Sequence, residues 1–447
     1  MDSPESLKYI PSSKEEKAGA LKELNLGSID ELFKSIPENI RKQTSAGLKP
    51  PLSELEIRKH FQYDCGDTSS IRTSFLGGNG HHHYIPSIID PLVSRGEFLT
   101  AYTPYQPEVS QGTLQAMFEF QSMMADLMGV EVSNASLYDG STAMLEAALM
   151  SVRISKKNKI LFSEAVHPEY IETMRTYADT GVFEYEMVPV GEDGKISVRN
   201  LKSRISGDVS SVVLQSPNYF GVVEDIQSIK KEFGDQILVI VVVTEAQSLA
   251  LLRSPGSLGA DIVCGEAQSF GVPLSFGGPW LGFIGTSMKH VRNLPGRLVG
   301  ETVDTKGRRA YVVTLAAREQ HIRRERATSN ICTNQGLMAL RAAIYLSVMG
   351  KIGLRRAAER SAKFAAYGRK LIANSSIKIM YAPSSVFNEF MLELPAPASR
   401  VFDKCVEKYG IAPGNIAGEK KLLCAFDETM SPEIIERWAS ALKEACK

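Results

Sequence analysis

The chain has 447 residues and 43% hydrophobic content, so it can bury a large core and is expected to contain two or three subdomains. Its 51 basic side chains balance its 51 acidic ones, which excludes an overall charge that attracts nucleic acid or an anionic membrane. The longest apolar run, residues 237–243, is too short to span a bilayer and is typical of a buried parallel strand.

The N-terminus and the cysteines both favour a reducing compartment. Residues 1–6 lack the basic and then apolar pattern of a signal peptide, so we expect a cytoplasmic protein. The cysteines are scattered without a CxxC pair, which favours reduced and mostly buried thiols over a metal site or disulfides. They are Cys65, Cys264, Cys332, Cys405, Cys424 and Cys446.

The first part of the chain predicts short helices followed by an irregular segment. Capping residues begin the helical stretches 12–24 and 28–35. Residues 75–108 are rich in Gly, His, Tyr and Pro, and such a stretch is usually pinned against a site or a partner because it cannot satisfy its backbone by regular ladders. Residues 111–128 then predict an amphipathic helix, whose methionine-rich stripe we assign to the core.

Residues 130–290 alternate short apolar strands with helical segments. This alternation predicts a mainly parallel sheet that is covered on both faces. Ligands in such sheets bind at the carboxyl ends of the strands. The predicted strands are residues 159–162, 184–189, 209–214, 236–243, 261–264 and 281–284, and the predicted helices are residues 141–153, 168–178, 198–205 and 226–233.

The pattern changes after residue 330, where a smaller α+β domain is predicted. Two long helices, residues 334–348 and 354–371, precede a mixture of strands and helices over residues 377–381, 388–394, 399–409, 421–426 and 432–445. We therefore divide the chain into an N-terminal helical and irregular segment (1–110), a large α/β domain (111–330) and a small C-terminal α+β domain (331–447).

Gln268 stands at a corner where a lysine is expected. Residues 261–273 predict a buried strand that runs into a turn, and the Gly-rich stretch 276–282 follows. In pyridoxal-phosphate (PLP) enzymes of the aminotransferase architecture, this corner carries the lysine that forms an imine with the cofactor. No lysine lies between Lys231 and Lys289 in the sequence. An amide cannot form an imine, so the chain has the frame of a PLP enzyme without its nucleophile.

Two further segments correspond to cofactor-binding positions of that architecture. Gly140, Ser141 and Thr142 lie where a strand ends and a helix begins, so they predict either an ordinary N-cap by Ser141 or Thr142 or a phosphate cradle. Glu245 is the acid nearest to the end of the most hydrophobic strand, where PLP enzymes need an Asp beside the pyridinium nitrogen. It indicates either a degenerate site or a carboxylate that serves a cofactor.

Three motifs of surface-type residues allow two interpretations: a functional site, or an ordinary loop or solvated face. Residues 102–108 hold tyrosines and a glutamate between prolines, which suits a small polar ligand, an interface or a plain surface loop. Residues 81–83 are three consecutive histidines, which we interpret as a loop without metal because adjacent side chains diverge. A basic cluster is either a solvated face or a site for a carboxylate, a phosphate or a partner; it contains Arg318, His321, Arg323, Arg324 and Arg326.

Taken together, four segments resemble the glycine cleavage system P-protein family (glycine decarboxylase). They are residues 100–112, 137–143, 275–279 and 324–333, of which the last is long and specific. The resemblance extends from about residue 5 to the end of the chain. In one form of this family the enzyme is split into two homologous subunits, and the length and the missing lysine match the α subunit, or subunit 1.

The resemblance implies the α/β fold of PLP-dependent aminotransferase-like enzymes (fold type I), with a mainly parallel sheet and a smaller C-terminal α+β domain. It implies that the chain acts as a glycine dehydrogenase (aminomethyl-transferring, decarboxylating) only in complex with the lysine-bearing β subunit, or subunit 2. That complex decarboxylates glycine and transfers the aminomethyl group to the lipoyl arm of H-protein. PLP is then attached covalently to the partner subunit and not to this chain, in an αβ or α2β2 (heterotetrameric) assembly.

The same resemblance suggests site residues. Tyr102, Thr103, Tyr105 and Glu108 are expected to line the glycine pocket or its rim. Thr328, Ser329 and Asn330 are expected to reach the partner's cofactor, and residues 140–142 form a degenerate phosphate turn. No metal, nucleic acid or membrane is expected.

Two other functions remain as alternatives. The chain could be a structural or regulatory scaffold that only holds the β subunit in shape. It could also be a stand-alone PLP lyase or transferase with an unconventional lysine, for which Lys289 and Lys306 are the nearest candidates, although neither lies at the strand-to-loop corner.

Overall fold

The computed structural model describes residues 12–41, 47, 50–64, 71–331 and 334–447. The chain forms two compact units, residues 1–68 and 69–447. The described part of the first unit contains α1 (Lys14–Glu23), a 3-10 helix (Ile29–Phe33) and α2 (Glu54–Lys59). Ser13 and Ser53 begin the two α-helices with capping boxes. None of the described residues of this unit is buried.

The second unit contains two main sheets and the helices that cover them. Its strands are β1 (Thr73–Ser74), β2 (Val132–Ser133), β3 (Lys159–Ser163), β4 (Glu184–Val188), β5 (Val209–Gln215), β6 (Leu238–Val243), β7 (Ile262–Glu266), β8 (Gly282–Thr286), β9 (Leu298–Val303), β10 (Arg309–Thr314), β11 (Lys378–Ile379), β12 (Glu389–Glu393), β13 (Ile411–Ala412), β14 (Asn415–Gly418) and β15 (Lys421–Ala425). Its α-helices are α3 (Ile89–Val93), α4 (Gly96–Leu99), α5 (Gln111–Met128), α6 (Gly140–Ser155), α7 (Pro168–Ala178), α8 (Val198–Lys202), α9 (Ile226–Phe233), α10 (Gln320–Arg323), α11 (Gly336–Ile372), α12 (Ala398–Tyr409) and α13 (Pro432–Ala445).

The large sheet has seven strands in the order β2-β8-β7-β6-β5-β3-β4. The pairs from β4 to β7 are parallel, and β8 runs antiparallel to both of its neighbours. This arrangement confirms the predicted mainly parallel sheet. The parallel direction brings the carboxyl ends of β3, β5, β6 and β7 to one edge, where ligand sites form in folds of this kind.

Both faces of this sheet are covered by apolar cores. Val239 and Val241 of β6 belong to one core, and Ile240 and Val242 belong to the other, because successive side chains of a strand point to opposite faces. Helix α5 covers the first face, and its Met124 and Met128 are fully buried there. The assignment of the methionine stripe to the core is therefore confirmed.

The C-terminal part builds a four-stranded sheet in the order β11-β12-β15-β14, packed against α12 and α13. Strand β1 pairs in parallel with β13, and the buried ring of Phe75 stacks on Trp438 with centroids 5.2 Å apart. Residues 73–75 therefore belong to this core, although sequence grouped them with the N-terminal segment. They anchor the loop that follows at residues 77–84. The predicted domain boundaries at 110 and 330 stay predictions.

Helix α11 consists of two helical segments that meet at a kink, which agrees with the two helices predicted from sequence at 334–348 and 354–371. The kink lies at Gly350, whose dihedrals are non-helical (φ 57°, ψ 176°). The helix is long and apolar enough to cross a membrane by length and composition alone. Its buried residues nevertheless pack into two cores of the protein. Ala342 packs into the core on the α5 face of the large sheet, and Ala365 packs into the core of the C-terminal sheet.

The cysteines of the described chain are free thiols. Cys264, Cys405 and Cys424 are buried, and Cys446 is partly buried. Cys65 and Cys332 lie outside the described residues.

Candidate functional site

The carboxyl ends of the parallel strands border a cavity of about 570 Å³. Asp139 and Ser141 at the start of α6, His167 after β3 and Trp280 after β7 line it. The loop at residues 77–80 forms another part of the wall. The cavity lies where the predicted cofactor corner should be, so the side chains around it decide what this edge of the sheet can hold.

Gln268 is buried and its amide is fully engaged by backbone groups. Its Oε1 accepts a hydrogen bond from the His81 N–H at 3.0 Å, and its Nε2 donates to the carbonyls of His81 at 3.1 Å and Val272 at 2.7 Å. The residue that replaces the lysine therefore ties the loop at residues 77–84 to the corner. That loop lies beside the strand ends and forms part of the cavity wall there.

Glu245 forms the centre of a buried row of carboxylates and imidazoles. Its Oε2 lies 2.9 Å from His81 Nδ1 and 3.0 Å from His83 Nε2. His81 Nε2 in turn lies 3.0 Å from Glu389 Oε1, and His83 Nδ1 lies 2.8 Å from Glu428 Oε2. We call these five residues the acid–imidazole row. It joins the end of β6 to β12 and to the segment after β15, and therefore links the two sheets.

Glu245, His83 and Glu428 of the acid–imidazole row stabilise one another's charges, whereas burial raises the pKa of Glu389. Burial alone would raise the pKa of Glu245, but the two imidazoles hold that pKa well below its usual range. Burial alone would lower the pKa of His83, but Glu245 and Glu428 hold it well above its usual range. Both ring nitrogens of His83 face carboxylate oxygens, which suits an imidazolium that donates twice. Glu245 is thus committed to two histidines and is not free to serve a cofactor's ring nitrogen.

The side chains of the three consecutive histidines point alternately inward and outward because the loop is extended. His81 and His83 are buried, whereas the side chain of His82 is 70% exposed. The described residues contain no group of three or more His, Cys, Asp or Glu side chains placed to bind a metal ion. Sequence reasoning missed the link between these histidines and Glu245. The available signal was the spacing of two, which places alternate side chains on the same side.

Two carboxylates of the chain itself bind backbone N–H groups of the predicted phosphate turn. Sequence assigned the helix cap to Ser141 or Thr142, which is wrong: Asp139 is the N-cap, and its Oδ1 accepts from the Thr142 N–H at 2.7 Å. Glu266 bridges the N–H groups of Gly140 at 2.9 Å and Leu281 at 2.8 Å, and burial raises its pKa to about 7. The N–H groups of Gly140 and Thr142 are therefore already bound by carboxylates of the chain, which makes this helix start less suited to a phosphate.

This corner does not fit covalently bound PLP. The imine-forming amine is absent at Gln268, the acid at Glu245 is engaged by histidines, and the helix N-terminus is occupied by Asp139 and Glu266. Each of the three contacts that the fold provides for the cofactor is thus replaced by a contact within the chain.

The predicted substrate residues lie outside this cavity, on an exposed loop. Tyr102 is 84% exposed and Tyr105 is 56% exposed. Thr103 borders two smaller cavities, of about 290 and 170 Å³. Glu108 is exposed in a short 3-10 helix (Pro107–Val109) and is not one of the lining residues of either cavity.

Arg297 connects this loop to the other predicted site residues. The side chain is 4% exposed, its Nη2 donates to Tyr105 Oη at 3.4 Å, and its guanidinium lies 5.4 Å from the Tyr105 ring centroid. Thr328 and Ser329 border a small cavity that Arg297 also lines. Asn330 is exposed, and its Nδ2 donates to Tyr177 Oη at 3.4 Å. Sequence reasoning did not identify Arg297, and nothing in its local pattern marks it.

The basic cluster is mostly a solvated face. Arg323, Arg324 and Arg326 are exposed, whereas Arg318 is partly buried and donates to the carbonyls of Leu315 and Gly296. The side chain of His321 lies outside the described residues.

The sequence model of one family, glycine cleavage system P-protein, matches residues 7–442 of the chain. The chain belongs to the glycine cleavage system P-protein family. It is 42% identical over 445 residues to a Geobacillus kaustophilus protein named probable glycine dehydrogenase (decarboxylating) subunit 1, with 97% of this chain and 98% of that protein covered. It is also 42% identical to a protein of the same name from Koribacter versatilis, with 90% of both chains covered.

Solved structures agree with the family and with the fold. The crystal structure of an inhibitor-bound glycine decarboxylase (P-protein) of the glycine cleavage system has a TM-score of 0.87 and 38% identity, with 98% of this chain and 100% of that chain covered. Lactobacillus brevis glutamate decarboxylase has a TM-score of 0.65 at 13% identity, with 91% and 95% covered, which shows the fold alone. The predicted fold, that of PLP-dependent enzymes of fold type I, is confirmed.

Replacing Gln268 by Met should destabilise the protein without changing the size of the side chain much. The change leaves the His81 N–H and the carbonyls of His81 and Val272 without their buried partner, so we expect the free energy of unfolding to fall by about 1–3 kcal/mol. Urea unfolding followed by circular dichroism measures this. Gln106→Met is the matched control, because Gln106 is exposed and should change stability by no more than about 0.5 kcal/mol. Equal stability of the two variants would contradict the assigned role of Gln268.

The acid–imidazole row should make stability depend on pH. Because the folded-state pKa of His83 lies well above its ordinary 6.5, its stabilisation is complete below pH 6.5 and is lost as the pH rises through the folded-state pKa. Because the pKa of Glu245 lies well below its ordinary 4.5, its stabilisation is present above pH 4.5 and is lost in more acidic solution. The pairing of Glu245 with His83 should therefore contribute most to the free energy of unfolding between pH 4.5 and pH 6.5.

His83→Gln tests this pH dependence. Below pH 6.5 the variant should be less stable by about 3–5 kcal/mol, since it leaves buried carboxylates without their counter-charge, and its stability should decline less as the pH rises further. Unfolding midpoints in urea over a series of pH values measure both effects. His82→Gln should keep the wild-type profile because His82 is exposed. The same slope in wild type and His83→Gln would disprove the role of the row.

Proposed function

We propose that this chain is the non-lysine subunit, subunit 1, of a two-subunit glycine decarboxylase. With a lysine-bearing partner, it would decarboxylate glycine and transfer the aminomethyl group to the lipoyl arm of H-protein. The observation that carries the proposal is the occupied corner, where Gln268 binds the loop backbone instead of presenting an amine. Relatives that match over 90% or more of both chains are named probable glycine dehydrogenase (decarboxylating) subunit 1, which supports the same function.

The division of labour follows from the chemistry of the corner. PLP attached to the partner would supply the aldehyde and the electron-accepting ring that glycine decarboxylation needs. This chain would supply a wall that excludes water and positions the substrate, because a closed site protects a carbanion from unwanted protonation. We therefore place its contribution on the exposed surface around Arg297 and not in its own strand-end cavity.

Two groups of side chains on that surface are available to a partner. Tyr102 and Tyr105 expose large rings with few rotatable bonds, which lose little conformational entropy on contact. Thr103 and Glu108 would complete the rim on the glycine side. Thr328 presents a hydroxyl and Asn330 an amide that can donate to an anionic cofactor group of the partner. Ser329 lies between them, and its hydroxyl already interacts with Glu146 and accepts from the Ile331 N–H. Arg297, bound to Tyr105, would hold the loop in place between these groups.

The assembly itself is part of the proposal. We propose a cytoplasmic complex of this subunit with the lysine-bearing subunit, which accepts lipoylated H-protein as its second substrate. Co-expression of the two chains and measurement of the mass of the purified complex distinguish αβ from α2β2.

Thr328→Val tests the shared site. Loss of one hydroxyl that donates to a charged group should lower glycine–bicarbonate exchange by about 10–100-fold, while the complex still assembles. The exchange rate is measured on the reconstituted complex with H-protein, and its mass confirms assembly. Thr305→Val, at an exposed turn residue, should keep the wild-type rate. Wild-type exchange by the Thr328→Val complex would favour a purely structural scaffold.

The isolated chain provides the second control. Mixed with PLP, it should show no imine absorbance and leave no adduct after borohydride reduction, and it should not decarboxylate glycine. A reducible PLP adduct on the isolated chain would contradict the proposal and would support a stand-alone PLP enzyme.

A further inference from the structure

The strand-end cavity of about 570 Å³ has the charge opposite to that of a phosphate site. Its wall contains the carboxylates of Asp139 and Glu169, and none of its lining residues is Lys or Arg. An anion that entered would meet these carboxylates, whereas a cation would be attracted. The volume is within the range that suits a small molecule.

Asp139 keeps one carboxylate oxygen available to such a cation. Its Oδ1 accepts both the Ser141 hydroxyl at 3.0 Å and the Thr142 N–H at 2.7 Å. Its Oδ2 has no hydrogen-bond partner within the described parts of the chain. The residue is partly buried and lines the cavity, so this oxygen is an acceptor in surroundings that are less screened than open solvent.

His167 provides an independent sign of a ligand. It lines the same cavity and is 92% buried, since only 8% of its surface is exposed. Its Nδ1 accepts the Glu169 N–H at 3.2 Å, so the proton of the neutral ring lies on Nε2. Burial lowers the pKa of His167, which favours this neutral form. Across residues 71–331 and 334–447, no protein group accepts from Nε2, so this donor is available to a ligand in the cavity that His167 lines.

Aromatic and amide groups complete the wall. The rings of Tyr138, Tyr170 and Trp280 line the cavity, and aromatic faces attract organic cations. The Tyr170 hydroxyl donates to Asn79 Oδ1 at 2.7 Å, which fixes that amide with its NH2 group as a further donor. The wall thus offers carboxylate acceptors for a cation, together with neutral donors for an oxygen atom.

We propose that this cavity binds a primary ammonium group that also carries an oxygen acceptor, with the cation at Asp139 and the oxygen at His167. Two sources have this chemistry: a free amino alcohol, and a lysine side chain of the partner subunit with a neighbouring carbonyl. The proposal goes beyond the decarboxylase function, because that reaction would take place at the partner's lysine, and this site would exist whether or not the chain takes part in catalysis.

Calorimetric titration of the full-length chain tests the site with ethanolamine as the probe. Ethanolamine should bind saturably, and Asp139→Asn should weaken its binding about tenfold by removing the charge. Asn is also a good N-cap residue, so α6 should remain intact. His167→Asn keeps an acceptor for the Glu169 N–H but removes the Nε2 donor; it should weaken ethanolamine and leave methylamine, which has no oxygen, unchanged.

Controls and a second arm make the outcomes distinct. Glu172→Gln changes an exposed carboxylate of the same helix as Glu169 that does not line the cavity, and it should bind like wild type. In the reconstituted complex, ethanolamine binding that persists indicates a free amine as the natural ligand, and binding that is lost indicates a partner lysine. Failure of both preparations to bind ethanolamine, binding unaffected by Asp139→Asn, or tighter binding of inorganic phosphate than of ethanolamine would overturn the proposal. None of these results depends on exchange activity, so failure of the decarboxylase function would be seen separately.

Discussion

The acid–imidazole row is the interaction on which the second compact unit depends. Glu245 lies at the end of the central strand β6, and two histidines join it to Glu389 of β12 and to Glu428 beyond β15. Buried charges are tolerated only when each has a partner, so the two sheets and the loop that carries the histidines must keep one relative arrangement. Gln268 reinforces that arrangement by pairing with both backbone groups of His81. One set of contacts therefore fixes the loop and fills the corner that the fold otherwise uses for a cofactor.

At the N-terminus of α6, too, side chains of the chain itself bind groups that this fold otherwise offers to a cofactor. In this fold the helix start is suited to an anion because its N–H groups have no partners within the helix. Here Asp139 binds the Thr142 N–H and Glu266 binds the Gly140 N–H, so two of those donors are satisfied from inside the chain. The result is a stable helix terminus with acidic groups beside a cavity, which changes the chemistry that the cavity prefers from anionic to cationic. A family relationship therefore transfers the frame of the site but not its ligand preference.

The contrast between the two surfaces explains how such a subunit can take part in a reaction without a reactive group. Its interior corner is closed by its own side chains, whereas the loop around Tyr102 and Tyr105 is open and held by Arg297. Rigid exposed aromatic rings lose little entropy when a partner covers them, which favours association at that face. Loss of the nucleophile and retention of a firmly held outer surface are thus compatible within one chain.

Sequence alone determined the architecture of the large sheet, the missing imine-forming lysine and the family. These properties are local or periodic: alternating apolar strands and helices predict a parallel sheet, and the absence of an amine at Gln268 is visible without coordinates. Sequence could not determine the direction of β8 or the cap at Asp139 in place of its neighbours. It also could not show that His81 and His83, more than 160 residues before Glu245 in the chain, would meet its carboxylate. Those contacts bring together residues that are distant in sequence, and only the packing of the two sheets decides which buried charges find each other.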